Sequence, residues 1–410
     1  MFTAGGLGNG LAQHSVAAVQ PACNFQAHNA RMTREVPFTP VTPPPAAVGD
    51  VLADIDTPAL LIDLDAMEAN MALVHQRARQ AGVRVRPHGK AHKTPALALR
   101  QIAAGAQGLC CQKLGEAEAF AAAGIDDILV TNQLIGAGKA RRAAALAGRI
   151  RLAVCADHPL QVQQLAEATA AAGTCLDVLV ELDVGQGRCG VTSAADAVAL
   201  AQAIAGQAPG LRFAGLHAYH GSAQHLRSPA ERQAAIGGAV ARAREAAQAL
   251  AAAGLPCATL TGGGTGTYAI EATSGVYTEV QPGSYVLMDT DYAANTPDEG
   301  TPALGHALYG WCSVISLRPG QAVLDGGLKA FATDHGLPQV LHEGWRVDGI
   351  SDEHTVIVGS PGAAPLAVGD KLRLVPGHCD PTVNLHDWLV AVRAGVVEQV
   401  WPVSARGAMF

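Results

Sequence analysis

The chain has 410 residues, 49% of them hydrophobic and 15% charged, with a formal net charge of −7. That length allows two domains or one large domain with an accessory piece, and the apolar content excludes global disorder. An acidic balance without a long basic run argues against nucleic-acid or membrane-surface partners, while local charge leaves room for a small anionic ligand.

Nine cysteines are scattered without a repeating spacing, Cys110 and Cys111 being adjacent. This pattern fits free thiols in a reducing, cytoplasmic compartment better than a disulfide framework. No apolar run approaches the roughly 20 residues needed to span a bilayer. No basic segment followed by an apolar one opens the chain, so no signal peptide is read.

In chain order, residues 1–54 read as an irregular N-terminal extension rich in Gly, Ala and Pro, with Met32 as a possible alternative start. A strand is expected over 59–64 and a helix over 66–80, stopped by Gly82. Strand-like runs then recur at 83–86, 107–111, 127–131, 150–155, 176–183, 212–219, 257–261 and 277–281. Ala-rich helical patterns such as 94–104, 115–123, 158–172, 194–205 and 229–253 lie between most of them. Eight such units predict an α/β fold, a (β/α)8 TIM-type barrel over residues 55–300, with a doubly wound sheet as the alternative. Polar clusters after several strands, rather than at one or two switch points, favour the barrel. After residue 300 the runs become short and strand-like (308–318, 321–325, 345–350, 354–358, 371–375, 387–392). They predict a C-terminal β-domain over 301–410, which the strand at 59–64 is free to join.

Barrel active sites gather where strands end. The first strand runs into Arg86-Pro87-His88-Gly89-Lys90, with Lys93 close behind, in a chain with only six lysines. A lysine there suits a Schiff base, and a solvated strand end explains the same residues. Gln112-Lys113, Asp183-Val184-Gly185-Gln186-Gly187-Arg188 and Tyr219-His220-Gly221-Ser222 follow other strands. After the seventh comes Thr261-Gly262-Gly263-Gly264-Thr265-Gly266, at the usual barrel position for a phosphate held by backbone amides; a tight turn would use such glycines too. Arg188 suits a cofactor ring, a substrate carboxylate or plain solvent. In the β-domain, His378 and Asp380 would project to one side if Pro376-Gly377-His378-Cys379-Asp380-Pro381 were locally extended. Imidazole plus carboxylate favours Mn²⁺ or Mg²⁺ over Zn²⁺, although such a pair also occurs in ordinary turns.

Together these motifs, with Cys111-Gln112-Lys113 and His378-Cys379-Asp380-Pro381-Thr382, resemble the D-threonine aldolase family from about Asp56 to Ala408. That family belongs to the pyridoxal-phosphate enzymes with an alanine-racemase-type barrel. The resemblance implies that Lys90 rather than Lys93 holds pyridoxal 5′-phosphate. It implies Gln112, Arg188 and Tyr219 around the ring, and Thr261, Gly263 and Gly264 near the phosphate. It implies His378 and Asp380 as ligands of a divalent metal, and His225 beside the reacting hydroxyl. The related D-serine dehydratases resemble His-x-Cys at the metal; Asp380 in the third position points to the aldolase branch.

The implied activity is retro-aldol cleavage of a D-β-hydroxy-α-amino acid (D-threonine, D-allo-threonine or D-phenylserine type) to glycine and an aldehyde, in a homodimer. The alternatives are a D-3-hydroxyaspartate aldolase giving glyoxylate, or a dehydratase of D-serine or D-3-hydroxyaspartate. A non-catalytic cofactor carrier would need neither the β-domain nor His378 and Asp380. A metal-only hydrolase would leave Lys90 and the glycine run unexplained.

Overall fold

A computed structural model describes residues 42–297 and 302–410. The extension expected over 1–54, with Met32, falls mostly on residues 1–41, which lie outside the described residues. Residues 42–54 lie against strands from the C-terminal quarter of the chain: Gly49 N donates to the Val397 carbonyl at 2.9 Å, and Trp311 Nε1 to the Leu52 carbonyl at 3.2 Å.

The first strand, β1 (Ala59–Asp63), pairs antiparallel with Leu308–Arg318 and parallel with Trp388–Arg393, so it joins the C-terminal sheet. The eight following strands are β2 (Arg84–Val85), β3 (Leu109–Cys111), β4 (Asp127–Gln133), β5 (Arg151–Ala156), β6 (Leu176–Glu181), β7 (Leu211–His217), β8 (Thr259–Gly262) and β9 (Glu279–Val280). They pair in parallel in the order β2-β9-β8-β7-β6-β5-β4-β3. A single bridge between His88 and Cys110 joins the two edges, with Cys110 N donating to the Pro87 carbonyl at 2.8 Å. The curled, TIM-like barrel expected from the alternation is thus present.

The two faces of these strands do different work. Cys111, Val130, Val154 and Val178 pack outward against the helices in the largest apolar cluster, while Cys110, Leu129, Cys155 and Leu179 form a small cluster of their own. This period-2 division means that residues adjacent in sequence serve opposite layers. The helices begin where the chain supplies caps. Ser228 Oγ accepts from Glu231 N and Glu231 Oε2 from Ser228 N, both at 3.2 Å, starting the helix Pro229–Ala252. Arg86, in the first strand-end motif, is structural: its guanidinium reaches Glu279 at 3.0 Å and Asp127 at 2.6 Å. Removing one partner of such a buried pair costs about 3–5 kcal/mol.

The remaining strands are β10 (Leu308–Arg318), β11 (Gln321–Leu324), β12 (Gln339–Val340), β13 (Trp345–Ile350), β14 (Thr355–Gly359), β15 (Lys371–Val375), β16 (Trp388–Arg393) and β17 (Val396–Pro402). They form a sheet ordered β13-β14-β11-β10-β1-β16-β17, with β15 also on β10. Leu60, Ile62 and Leu389 of this sheet share one apolar cluster with Val85 and Tyr285 of the barrel. That shared core fixes the turn after β15 over the barrel mouth. Thr290 N donates to the Pro376 carbonyl at 3.0 Å, and Cys379 N to Asp289 Oδ2 at 2.8 Å. Among the described residues, no helix is long and apolar enough to cross a membrane.

Candidate active site

A cavity of about 470 Å³ opens at the C-terminal ends of the barrel strands, between the barrel and the turn after β15. His88, Thr131, His217 and Gln281 line it from the barrel strands and their ends. Lys90, Gln112, Arg188, Tyr219, His225 and Gly264 come from the loops that follow. His378, Asp380, Asp334 and His335 come from the β-domain.

Lys90 sits in a short turn of 3₁₀ helix (Gly89–Ala91) capped by His88. Its amino group has no hydrogen bond or ion pair among the described residues. Burial opposes its charge, but the Asp380 carboxylate, together with Tyr219 and Glu116, outweighs that and holds the Lys90 pKa above its ordinary value. Lys93 has the opposite fate. Its backbone is left-handed (φ 50°), and its ammonium lies 2.9 Å from Glu116. The other oxygen of Glu116 accepts from Gln112 N at 2.8 Å and Lys113 N at 3.0 Å. One buried carboxylate therefore restrains Lys93 and shapes the loop that carries Gln112.

Gln112 Nε2 donates to the Thr131 carbonyl at 3.2 Å. Arg188 rides a loop folded around Asp183, whose Oδ1 accepts from Gly185 N at 2.9 Å and Gly187 N at 3.1 Å. Its guanidinium carbon is 5.9 Å from the centre of the Tyr219 ring. Burial raises the Tyr219 phenol above its ordinary pKa, so it stays a neutral hydroxyl at pH 7.

The glycine run after β8 turns its backbone to the cavity. A side chain at Gly264 would strike Gln224 Oε1 at 2.5 Å, so only glycine lets the chain pass so close. The amides of Gly264, Thr265, Gly283 and Ser284 find no acceptor among the described residues. These residues line the cavity, and the four donors form a cradle of the kind that holds a phosphate. Thr261 faces elsewhere. Its hydroxyl donates to Glu279 Oε1 at 2.9 Å and accepts from Gln281 Nε2 at 2.8 Å. Gly263 (φ 73°) is backed by the Glu271 side chain and does not line the cavity.

Glu271 is buried, and one of its oxygens has no partner among the described residues. Burial pushes its carboxyl up to about 7. The folded state therefore favours the protonated acid. The penalty for ionising it is absent well below the unfolded pKa of 4.5 and complete once the pH passes about 7. Glu271→Gln should raise the Tm at pH 8, by a stabilisation of roughly 2–3 kcal/mol, and leave it nearly unchanged at pH 4. Calorimetry at the two pH values checks this; an equal shift at both would contradict it.

The β-domain residues correct one local expectation. The turn after β15 is not extended through Asp380, because a one-turn helix, Cys379–Val383, starts directly after His378. Strand alternation therefore does not place the pair on one side, yet both residues line the cavity. His378 Nδ1 lies 2.7 Å from Asp334 Oδ2, and Asp380 Oδ1 accepts from Ser284 Oγ at 2.9 Å. His225, in the 3₁₀ turn Ser222–His225 after β7, holds Asp291 Oδ2 at 2.5 Å through Nδ1.

Sequence reasoning missed Asp291, Asp334 and His335, and named Thr265 only as part of the glycine run. Asp334-His335 is a polar pair in an irregular stretch between β11 and β12, with no period to mark it. The one available signal was its composition, an acid beside an imidazole near Gly336.

The alanine racemase N-terminal domain model matches residues 62–291, and the putative serine dehydratase domain model matches residues 307–392. A D-threonine aldolase from Arthrobacter sp. is 48% identical over 378 residues, covering 92% of this chain and 99% of that protein. The chain belongs to the D-threonine aldolase family. A 3-hydroxy-D-aspartate aldolase from Paracoccus denitrificans (strain Pd 1222) is 46% identical, covering 88% of this chain and 95% of that protein. The crystal structure of a D-threonine aldolase from Filomicrobium marinum, 47% identical, superposes with a TM-score of 0.87 over 89% of this chain and all of the other. Members of the family are pyridoxal-phosphate-dependent lyases with the alanine-racemase fold, and the chain is an enzyme of that class.

Proposed function

We propose that the protein cleaves D-configured β-hydroxy-α-amino acids of the D-threonine and D-phenylserine type to glycine and an aldehyde. In this reading Lys90 holds pyridoxal phosphate, and His378 with Asp380 holds a divalent metal, Mn²⁺ or Mg²⁺. The observation that carries it is the meeting of the Lys90 amine with the His378–Asp380 pair in one cavity, although 288 residues separate Lys90 from His378.

The residues present fit both groups. An amine without a partner and four free amides suit an aldehyde and a phosphate on one small molecule. Gln112, Arg188 and Tyr219 lie where they would border its ring. Thr261 would act from behind, through Gln281, because its hydroxyl is already committed. Gly263 would set the turn that presents Gly264. One imidazole and one carboxylate make a nitrogen-plus-oxygen donor set with positions left for water or substrate. When bound, pyridoxal phosphate supplies an electron sink at Cα, and the metal lowers the pKa of a hydroxyl held against it.

The chain's own residues supply the rest. His225, held by Asp291, takes the β-hydroxyl proton at Nε2. Arg188, which lines the cavity near Tyr219, would disfavour a proton on the pyridine nitrogen of a bound cofactor. Lys113 supports a second reading. Its ammonium has no partner among the described residues and lines the cavity, so it would pair with a β-carboxylate and suit a D-3-hydroxyaspartate aldolase. Cytoplasmic location and a homodimer complete the reading, and the free cysteines agree with a reducing compartment.

The test is a turnover panel of D- and L-threonine, D-phenylserine, D-serine and D-3-hydroxyaspartate, with and without Mn²⁺. Glycine plus an aldehyde from the D-substrates, dependent on metal, is expected. An oxo acid plus ammonia would identify a dehydratase instead.

A further inference from the structure

Asp291 lies outside every motif that drew attention to the site, yet three side chains converge on it. It is the second residue of the short helix Thr290–Ala293, which Asp289 caps by accepting from Tyr292 N at 2.9 Å. The other oxygen of Asp289 accepts from Cys379 N at 2.8 Å, so the helix is tied to the turn that carries His378 and Asp380. The Asp291 side chain is 6% exposed. Its Oδ1 pairs with the Arg227 guanidinium, and its Oδ2 faces His225 Nδ1 at 2.5 Å and His335 Nδ1 at 2.8 Å. The two imidazoles stand nearly perpendicular, with centres 4.9 Å apart, and both line the cavity.

An ionised carboxylate only accepts hydrogen bonds. Arg227 keeps Asp291 ionised, so both nitrogens facing Oδ2 must carry protons. A neutral imidazole protonated at Nδ1 has its lone pair at Nε2. The opposite tautomer would set a lone pair against the carboxylate.

We propose that Asp291 is a positioning residue that fixes His225 with Nδ1 protonated and Nε2 open to the cavity, while His335, whose Nε2 lies 3.8 Å from Asp334 Oδ2, bridges the two carboxylates beside it. The proposal rests on the aldolase reading for its chemistry. The O–H bond of the substrate breaks, and its proton joins His225 Nε2. The O–H electron pair becomes the second C–O bond of the aldehyde, and the Cα–Cβ pair stays with Cα. Glycine gains one proton at Cα, so the whole reaction neither consumes nor releases protons.

The test combines nitrogen-15 spectra of histidine-labelled holoenzyme with steady-state kinetics. In the wild type, His225, assigned by single substitution, should report the Nδ1–H tautomer. An Nε2–H tautomer at His225 would overturn the proposal, whether or not any variant folds. Asp291→Asn should scramble the His225 tautomer and lower kcat about 100-fold or more with KM within about threefold, the cofactor absorbance being unchanged. Asp291→Glu should recover at least about a tenth of the lost kcat. If the wild type releases no glycine from any D-β-hydroxy amino acid, the aldolase reading fails, and the tautomer spectra still decide the role of Asp291.

Discussion

Lys90→Ala should leave a folded protein without the cofactor's absorbance and with turnover lowered at least about a thousandfold. The magnitude follows from what the amine does: no other group in the cavity offers an amine so placed beside Asp380 and Tyr219. Lys93 is bound to Glu116 at 2.9 Å, and releasing it would leave a buried carboxylate unpaired. Lys113 is anchored through its backbone to the same Glu116, on the loop that carries Gln112. Borohydride reduction of the holoenzyme, followed by peptide mapping, should therefore label Lys90 alone. A label on Lys93 or Lys113 would overturn the assignment. Lys93→Ala tests the contrast from the other side. It should retain the cofactor while losing stability, because its loss leaves the Glu116 charge without its cation.

The second large effect is expected at the metal. Asp380→Ala should keep the cofactor absorbance and lose about 3 kcal/mol or more of transition-state stabilisation, a fall in turnover of about 100-fold or beyond. His378→Ala should behave alike. EDTA should abolish aldehyde release by the wild type, and Mn²⁺ or Mg²⁺ should restore it. Asp380→Ala carries a second signature, because its carboxylate also holds the Lys90 pKa up. Without it the Lys90 amine of the cofactor-free protein should titrate lower, read from the pH dependence of its chemical modification. Full activity of Asp380→Ala without added metal would remove the metal from the chemistry.

The barrel was legible because strand–helix alternation is a local signal, repeated often. The end of each strand was legible for the same reason, which made Lys90, Gln112, Arg188 and Tyr219 readable as cavity residues. Direction was harder. Thr261 stands at a strand end, but the period-2 alternation of β8 turns its hydroxyl to Glu279 and Gln281, and Thr265, four residues on, lines the cavity instead. The His378–Asp380 pair was found by composition, whereas its expected extended backbone gives way to a helix starting at Cys379. β17 was missed although its signal was present. Ala394 and Gly395 take left-handed φ values of 48° and 80° and close a tight hairpin from β16, a job usually advertised by Asn-Gly. Asp291, Asp334 and His335 were out of reach, since only the tertiary fold brings Asp291 and His335, 44 residues apart, onto one hydrogen bond.

The most direct measurement is the stoichiometry of products from D-threonine with the Mn²⁺-loaded enzyme. Glycine and acetaldehyde in equal amounts, with L-threonine inert and EDTA inhibitory, is the predicted result. Release of 2-oxobutanoate and ammonia in their place would contradict it.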